Sequence, residues 1–489
     1  MTANLTVLAR RWPWGIVLAA AAACTLQSSY FAWKVDDAFI TFSYAQNWVA
    51  GHGVVFNVGE RVEGYTCFLW VALSALGLLA GADILRWSLT LSIIGAVATV
   101  GAAWQLAREL LPARSCNAAG LTALLVGLYP PLAWWAGSGM ETTLFTCLVT
   151  LALFLHIRAG AESVAAPVCL ALASMTRPEA WLLAGLACVD AVSIGPGRRA
   201  GRYAGIFLGI FGPYYFWRLL YYDALLPNTF YAKVGSSGTQ VMRGLSYLWS
   251  FVVDGGGWYF FLGAGFSLAP SVARRARLAY VFLVAYTVYV VSIGGDFLPG
   301  FRFFLPIVPT LAALFTAALV GWTERLLRTR KAALAVVRGA AVAGVLCTYG
   351  PLVASQEDSL RLFNNIWKMQ VSTCRQINEE TGADDAVAAV GVGILKFCTG
   401  RRVIDMAGLT DVHIAHQQSP RMGSGLPGHE KYDSEYVLAQ RPKFIVIPRP
   451  GTYEGIPLAP LADMWGQPLL QEHYVPDPIG YRRIDPWEG

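Results

Sequence analysis

The chain has 489 residues, of which 55% are apolar and only 14% charged, and it carries 17 Trp, 21 Tyr and 24 Phe. Soluble chains carry roughly 25% charged residues, so disordered, collagen-like and disulfide-scaffold classes are excluded, and a mean hydropathy of +0.48 points to lipid as the main solvent. The net charge of +6 sits in short clusters between apolar runs, a distribution that sets membrane topology, and no nucleic-acid partner is expected.

The first apolar run, 13–33, follows Arg10 and Arg11 and precedes Asp36 and Asp37. The positive-inside rule places the arginines in the cytoplasm and the aspartates outside. Ala21-Ala22-Ala23-Cys24 is a loose lipobox without Leu at its head, so the segment reads as an uncleaved anchor. In the loop that follows, Phe39, Phe42, Tyr44 and Trp48 alternate with polar residues and suit a helix lying in the membrane interface. Charge parity then lets one of 66–81 and 87–106 cross, the other being re-entrant or interfacial. Further spans fall at 117–137, 142–156, 164–175, 181–194, 203–220, 258–272, 278–293, 303–322 and 336–353, which makes about eleven crossings. The runs 164–175 and 181–194 are shorter than the ~20 residues of a full crossing; they read as two halves broken at Arg177-Pro178-Glu179.

Residues 354–489 hold no run long enough to span, and 387–390 and 444–447 read as buried strands. The expected architecture is a polytopic α-helical membrane domain at 1–353 with an extracytoplasmic α/β domain at 354–489. Of the nine cysteines only Cys374 and Cys398 lie in that tail, where an oxidising compartment permits them to pair. No Cys/His spacing fits zinc, and no phosphate-binding or dinucleotide glycine motif is present. His413, His416 and His429 with Asp411 and Glu430 fit no ligand spacing and read as ordinary surface or core histidines.

This threading collects the uncommon polar groups on the outer side, and each has two readings. Asp36 and Asp37 begin a helix, where carboxylates cap free N–H groups; facing a cleft, they also fit a general base. Glu141 and Glu179 fit structural pairing with Arg177 or acceptor binding. Lys233, Arg302 and Arg61 fit a lipid phosphate or interfacial snorkelling. Asp296, after two glycines, fits a turn as well as a site.

The blocks that hold these residues have a familiar order. Asp36-Asp-Ala-Phe-Ile-Thr-Phe-Ser-Tyr-Ala45 leads to Gly51-His52-Gly53 and Gly59-Glu-Arg61-Val-Glu63-Gly-Tyr-Thr66. Ser138-Gly-Met-Glu-Thr142, Arg177-Pro-Glu179, Pro227-Asn228-Thr-Phe-Tyr-Ala-Lys233, Gly294-Gly-Asp296-Phe297 with Arg302, Ile404 to Asp411, and His429-Glu-Lys431 follow. In these blocks the chain resembles the GT-C superfamily of membrane glycosyltransferases, and within it the group of terminal β-(1→2)-arabinofuranosyltransferases. The resemblance covers nearly the whole chain and departs in a shorter tail.

It implies a multi-pass enzyme of the bacterial plasma membrane, with site and tail outside. Such an enzyme moves a sugar, here D-arabinofuranose, from a polyprenyl-phosphate donor to a glycan, glycolipid or protein acceptor with inversion. The base would be Asp36 or Asp37, with Asp36 favoured because many relatives use the first acid of such a pair. Lys233, Arg302, Arg177 and Arg61 would hold the donor phosphate. His52, Glu63, Glu141, Glu179, Asn228, Asp296, His429 and Lys431 would contact substrates. No nucleotide cofactor is implied, and the need for a divalent cation stays open. Two rival classes remain: a transporter or flippase of lipid-linked sugars, and a membrane scaffold whose tail binds a partner.

Overall fold

The computed structural model of the chain describes residues 2–194, 197–235, 238–266, 276–326, 331–419, 422–447 and 458–484. In chain order come α1 (Thr2–Tyr30), α2 (Asp36–Val49), α3 (Phe68–Leu79), α4 (Ile84–Leu110), α5 (Ala119–Gly127), α6 (Pro130–Gly137), α7 (Thr142–Ala159), α8 (Ala165–Thr176) and α9 (Ala180–Ile194). Then follow α10 (Gly197–Tyr222), α11 (Asn228–Lys233), α12 (Gly238–Val253), α13 (Gly257–Phe266), α14 (Arg277–Ser292), α15 (Val308–Leu326), α16 (Lys331–Cys347) and α17 (Tyr349–Glu380). The rest alternates: β1 (Ala386–Ala389), α18 (Gly393–Thr399), β2 (Arg402–Asp405), α19 (Val412–Ala415), α20 (Ser434–Ala439), β3 (Phe444–Val446), α21 (Ala459–Trp465), α22 (Pro468–His473), β4 (Tyr474–Asp477) and β5 (Gly480–Arg483).

Among the described residues four helices are long and apolar enough to cross a bilayer: Ile84–Leu110, Thr142–Glu162, Leu305–Leu326 and Val336–Glu380. Ser115–Gly127 with Pro130–Gly137 makes a fifth if that pair, bent by 54°, is one span. Phe68–Leu79, Ala165–Thr176, Ala180–Ser193 and Arg277–Ser292 are apolar but shorter. Length and apolar content thus support a helical membrane protein without reproducing a count of eleven. They also separate the ambiguous pair, since α4 has 27 residues and α3 only 12. The run expected at 258–272 ends outside the described residues.

Buried aromatic rings close one end of the bundle. Trp33 stacks on Trp134 at 4.5 Å and donates its indole N–H to the Trp134 carbonyl at 3.0 Å. Helix α2 differs from its sequence reading. Ala38 to Ala45 are all buried, and Phe39 and Phe42 pack against Phe397 of α18. The alternation of rings and small residues therefore serves two protein surfaces rather than one lipid face.

The sheet runs β2-β1-β3-β5-β4, with β1 parallel to both β2 and β3 and β5 antiparallel to β3 and β4. Both strands expected from sequence are present. The border drawn at 353/354 falls inside α17, whose helix continues to Glu380. Hydropathy drops after Val353, yet Leu360, Phe363, Trp367, Cys374 and Ile377 keep a helical spacing and pack on the core. Cys374 and Cys398 form a disulfide that ties α17 to α18.

Candidate active site

A cavity opens beside the first turn of α2. Asp37, Ile40 and Thr41 line it from α2, and Met140, Glu141, Arg177 and Glu179 line it from the turns before α7 and α9. Lys233 enters from α11, and Asp296 and Arg302 from the loop before α15. Gly294 (φ +83°) and Gly295 (φ +73°) take the left-handed backbone that turns Asp296 inward. Leu226, Phe230, Val234, Ile293 and Phe297 form an apolar flank, of which Phe230 is 43% exposed.

The ionic groups fall into three units. Arg302 pairs with Asp296 at 2.8 Å and with Asp37 at 3.2 Å, and its guanidinium lies 5.2 Å from the rings of both Trp135 and Phe303. Arg177 is bracketed by Glu141 at 2.9 Å and Glu179 at 2.5 Å. The Lys233 ammonium has no hydrogen-bond or ion-pair partner among the described residues. Four carboxylates therefore face three cations across the cavity, and of those cations Lys233 alone is uncommitted among the described residues.

Burial lowers the Lys233 ammonium below the usual lysine range, although Asp37 opposes this. Burial works against the charged form of Asp37 too, but Arg302 and Lys233 outweigh it and hold that carboxyl below its ordinary value. Asp36 behaves otherwise: burial pushes it up to about 6 against two amide hydrogen bonds. Such a value suits a base at neutral pH, but reach to substrate is the prior requirement. Both Asp36 oxygens are taken by the backbone N–H groups of Gly393 and Ile394, each at 2.9 Å. Asp37, not Asp36, lines the cavity.

The remaining candidates divide. His429 sits behind Phe297 in an edge-on contact at 5.4 Å, and burial holds it neutral, below the usual histidine range. Glu63 is sealed against Arg218, both side chains 2% exposed. Asn228 spends its side-chain amide on the carbonyls of Gly408, Leu409 and Asp411 at 2.9–3.2 Å. The Lys431 ammonium donates to the Ala415 carbonyl at 2.7 Å. Arg61 is exposed and lies over the Tyr221 ring at 5.0 Å, and His52 is exposed on its glycine turn. None of these six lines the cavity.

Sequence reasoning missed Arg218 as the partner of Glu63 and Arg243 as the partner of Glu430 at 2.9 Å. It also missed Asn57, which pairs with both backbone groups of Val403 at 2.9 and 3.0 Å. A glycine pair between a strand and a helix, Gly391-Val-Gly393, was the available signal for a close approach. His413 pairs with Asp433 at 2.7 Å and His416 stacks on Tyr231 at 4.3 Å. Among the described residues no group of three or more His, Cys, Asp and Glu is placed to hold a metal ion.

Comparison with known proteins bears on this geometry. Residues 364–479 match the profile of a domain of unknown function, DUF8728. The terminal β-(1→2)-arabinofuranosyltransferase of Mycobacterium tuberculosis is 29% identical over 237 residues, 45% of this chain and 38% of that protein. Its namesake from Corynebacterium glutamicum is 28% identical over 334 residues, 57% of this chain and 47% of that protein. The matched stretches thus span less than half of either relative. ArnT from Cupriavidus metallidurans, solved bound to undecaprenyl phosphate, superposes with a TM-score of 0.58 over 92% of this chain and 97% of that chain, at 15% identity. The chain is thus similar in sequence to named glycosyltransferases over about half of its length and shares its fold with ArnT.

Proposed function

We propose that this chain is a glycosyltransferase of the bacterial plasma membrane that moves a sugar, D-arabinofuranose, from a polyprenyl-phosphate donor to an extracytoplasmic acceptor with inversion. The observation that carries the reading is the pairing, in one cavity, of an aspartate and an uncommitted lysine beside an apolar flank. Asp37 takes the proton of the acceptor hydroxyl as that oxygen attacks the anomeric carbon. The bond from that carbon to the phosphate oxygen breaks, and the phosphate leaves with the electron pair. Lys233 receives its charge, with Arg302 between the base and the departing oxygen. The polyprenyl chain lies along Phe230, Val234, Ile293 and Phe297.

The sugar assignment rests on the named relatives, and the acceptor is a glycan, glycolipid or protein. The disulfide in the tail supports an oxidising compartment for that part. The membrane part and the tail, divided at 353/354, are proposed as separate units of function: one for transfer, one for support on the outer side.

The test is to incubate purified protein with a panel of polyprenyl-phosphate sugars and an envelope acceptor fraction, and to measure free polyprenyl phosphate. Release from the arabinofuranosyl donor that stops in Asp37→Asn is expected. No release from any donor, in folded protein, would return the weight to a flippase or a scaffold.

A further inference from the structure

Asp36 makes a contact that no substrate role uses. Its two carboxylate oxygens accept from consecutive backbone N–H groups, Gly393 and Ile394, each at 2.9 Å. Those residues open α18 directly after β1. In the sheet, β2 lies to one side of β1 and β3 to the other, so this is the point at which strand order reverses. Open parallel sheets take their ligands in the crevice beyond the strand ends at such a point. Here a side chain of the membrane part fills it. The approach is close enough to need glycine: a Cβ on Gly393 would lie 2.1 Å from the Asp36 carbonyl oxygen and 2.9 Å from the Ile40 nitrogen.

Two asparagines hold the same two bodies together further along. Asn57 pairs with Val403 of β2, and Asn228 gathers three carbonyls of the loop after β2. Neither asparagine lies on α2, where Phe39 and Phe42 pack on Phe397 of α18; among the described residues Asp36 alone joins α2 to α18 through side-chain hydrogen bonds. Adjacent residues on a helix point about 100° apart. Once Asp36 faces α18, Asp37 is directed into the cavity, and the two carboxylates cannot exchange tasks without rotating the helix.

We infer that Asp36 is a positioning residue: it clasps the first turn of α2 to the head of α18, and through it the tail sets the bearing of Asp37. This rests on the transferase reading of Asp37. The pair Asp36-Asp37 is then a division of labour between docking and chemistry, and the tail is part of the active-site support.

The experiment compares Asp36→Asn, Asp36→Ala, Gly393→Ala and the double Asp36→Ala/Gly393→Ala in the full-length protein. Misplacement of a reacting group by about 1 Å is worth on the order of 100-fold in rate. Asp36→Ala and Gly393→Ala are therefore expected to lower kcat about 10- to 100-fold while the donor KM stays within about 2-fold. The double variant should be no worse than the weaker single one, because both remove the same connection. Asp36→Asn keeps one acceptor oxygen and should retain more turnover than Asp36→Ala.

Amide hydrogen exchange at residues 393–396 reads the clasp without reference to activity, and it should speed up in Asp36→Ala. If wild-type protein consumes no donor, the transferase reading fails, while the exchange result still decides the clasp. Two outcomes overturn the inference. In one, Asp36→Asn abolishes turnover as fully as Asp37→Asn with exchange unchanged, which makes Asp36 the base. In the other, Asp36→Ala leaves both kcat and exchange as in wild type.

Discussion

Two acid–arginine pairs, Glu63 with Arg218 of α10 and Asp37 of α2 with Arg302, are built from the same chemistry and differ in exposure. Glu63 and Arg218 are each 2% exposed. The Arg218 Nε reaches both Glu63 oxygens, at 2.9 and 3.2 Å, and its Nη1 donates to the Leu225 carbonyl at 2.8 Å. That pair is closed on every side. Asp37 and Arg302 differ in one respect: Arg302 is 5% exposed and Asp37 is 27% exposed. The arginine is locked by Asp296 and two rings, while the aspartate keeps an edge on the cavity. The sealed pair ties its two elements together, while on the proposed mechanism the half-open pair presents Asp37 to the acceptor hydroxyl.

The comparison breaks if the two acids respond alike. Asp37→Asn removes a proton acceptor and should lower turnover about 10²- to 10⁴-fold with little change in melting temperature, read by donor release beside thermal unfolding. Glu63→Gln should do the reverse: it leaves Arg218 buried without its counter-charge, a loss on the order of 3–5 kcal/mol of stability. Folded Glu63→Gln protein should turn over donor at close to the wild-type rate. A catalytic collapse in Glu63→Gln without unfolding would erase the distinction.

Lys233→Gln sharpens the same contrast, since this cation has no internal partner to strand. The donor kcat/KM should fall by about 10- to 150-fold, the weight of one charge-assisted hydrogen bond of roughly 1.5–3 kcal/mol, with stability unchanged. Arg61→Gln, on an exposed arginine, should leave both quantities where they were.

The smallest effect is a shift in pH. Arg302 and Lys233 hold the Asp37 carboxyl below its ordinary range, so the carboxylate stays ionised as pH falls through the range in which a free aspartate protonates. The ion pair's contribution to stability has the same sign: present above the unfolded carboxyl value and lost as pH falls through the depressed one. Arg302→Gln removes the larger of the two cationic influences and leaves burial to act. The acid limb of kcat/KM should then move to higher pH.

Much of the helical frame was legible because lipid-facing helices announce themselves by composition, and the strands at 387–390 and 444–447 because short apolar runs between turns do so too. The residues that converge on the cavity were also visible: Asp37, Glu141, Arg177, Glu179, Lys233, Asp296 and Arg302 stood out as charges in apolar surroundings. Their neighbours in the same blocks were not separable from them. Glu63 and Asn228 occur in equally uncommon patterns, yet they spend their polar atoms on Arg218 and on backbone carbonyls, which only the tertiary structure reveals. Asp36 shows the limit most clearly. Two adjacent aspartates look equivalent in a sequence, and the helical turn between them sends one to the sheet and the other to the cavity. The helix to Glu380 was hidden for another reason: hydropathy fell at Val353 while the helical spacing of its packed face continued.

That helix carries a geometric consequence. Val336–Glu380 covers 45 residues, which at 1.5 Å per residue is about 68 Å, against a hydrocarbon thickness of about 30 Å. Running through α16 and α17, it acts as a graduated rod for both the distance and the compass direction of the sheet relative to the apolar stretch from which it rises. One residue added after Val353 would turn the sheet by about 100° and lift it about 1.5 Å. Seven would restore the bearing to within about 20° but leave the sheet about 10 Å too high. Length and phase can both be right at only one spacing, so this stretch of chain is a ruler that tolerates substitution on its exposed face but no change in count.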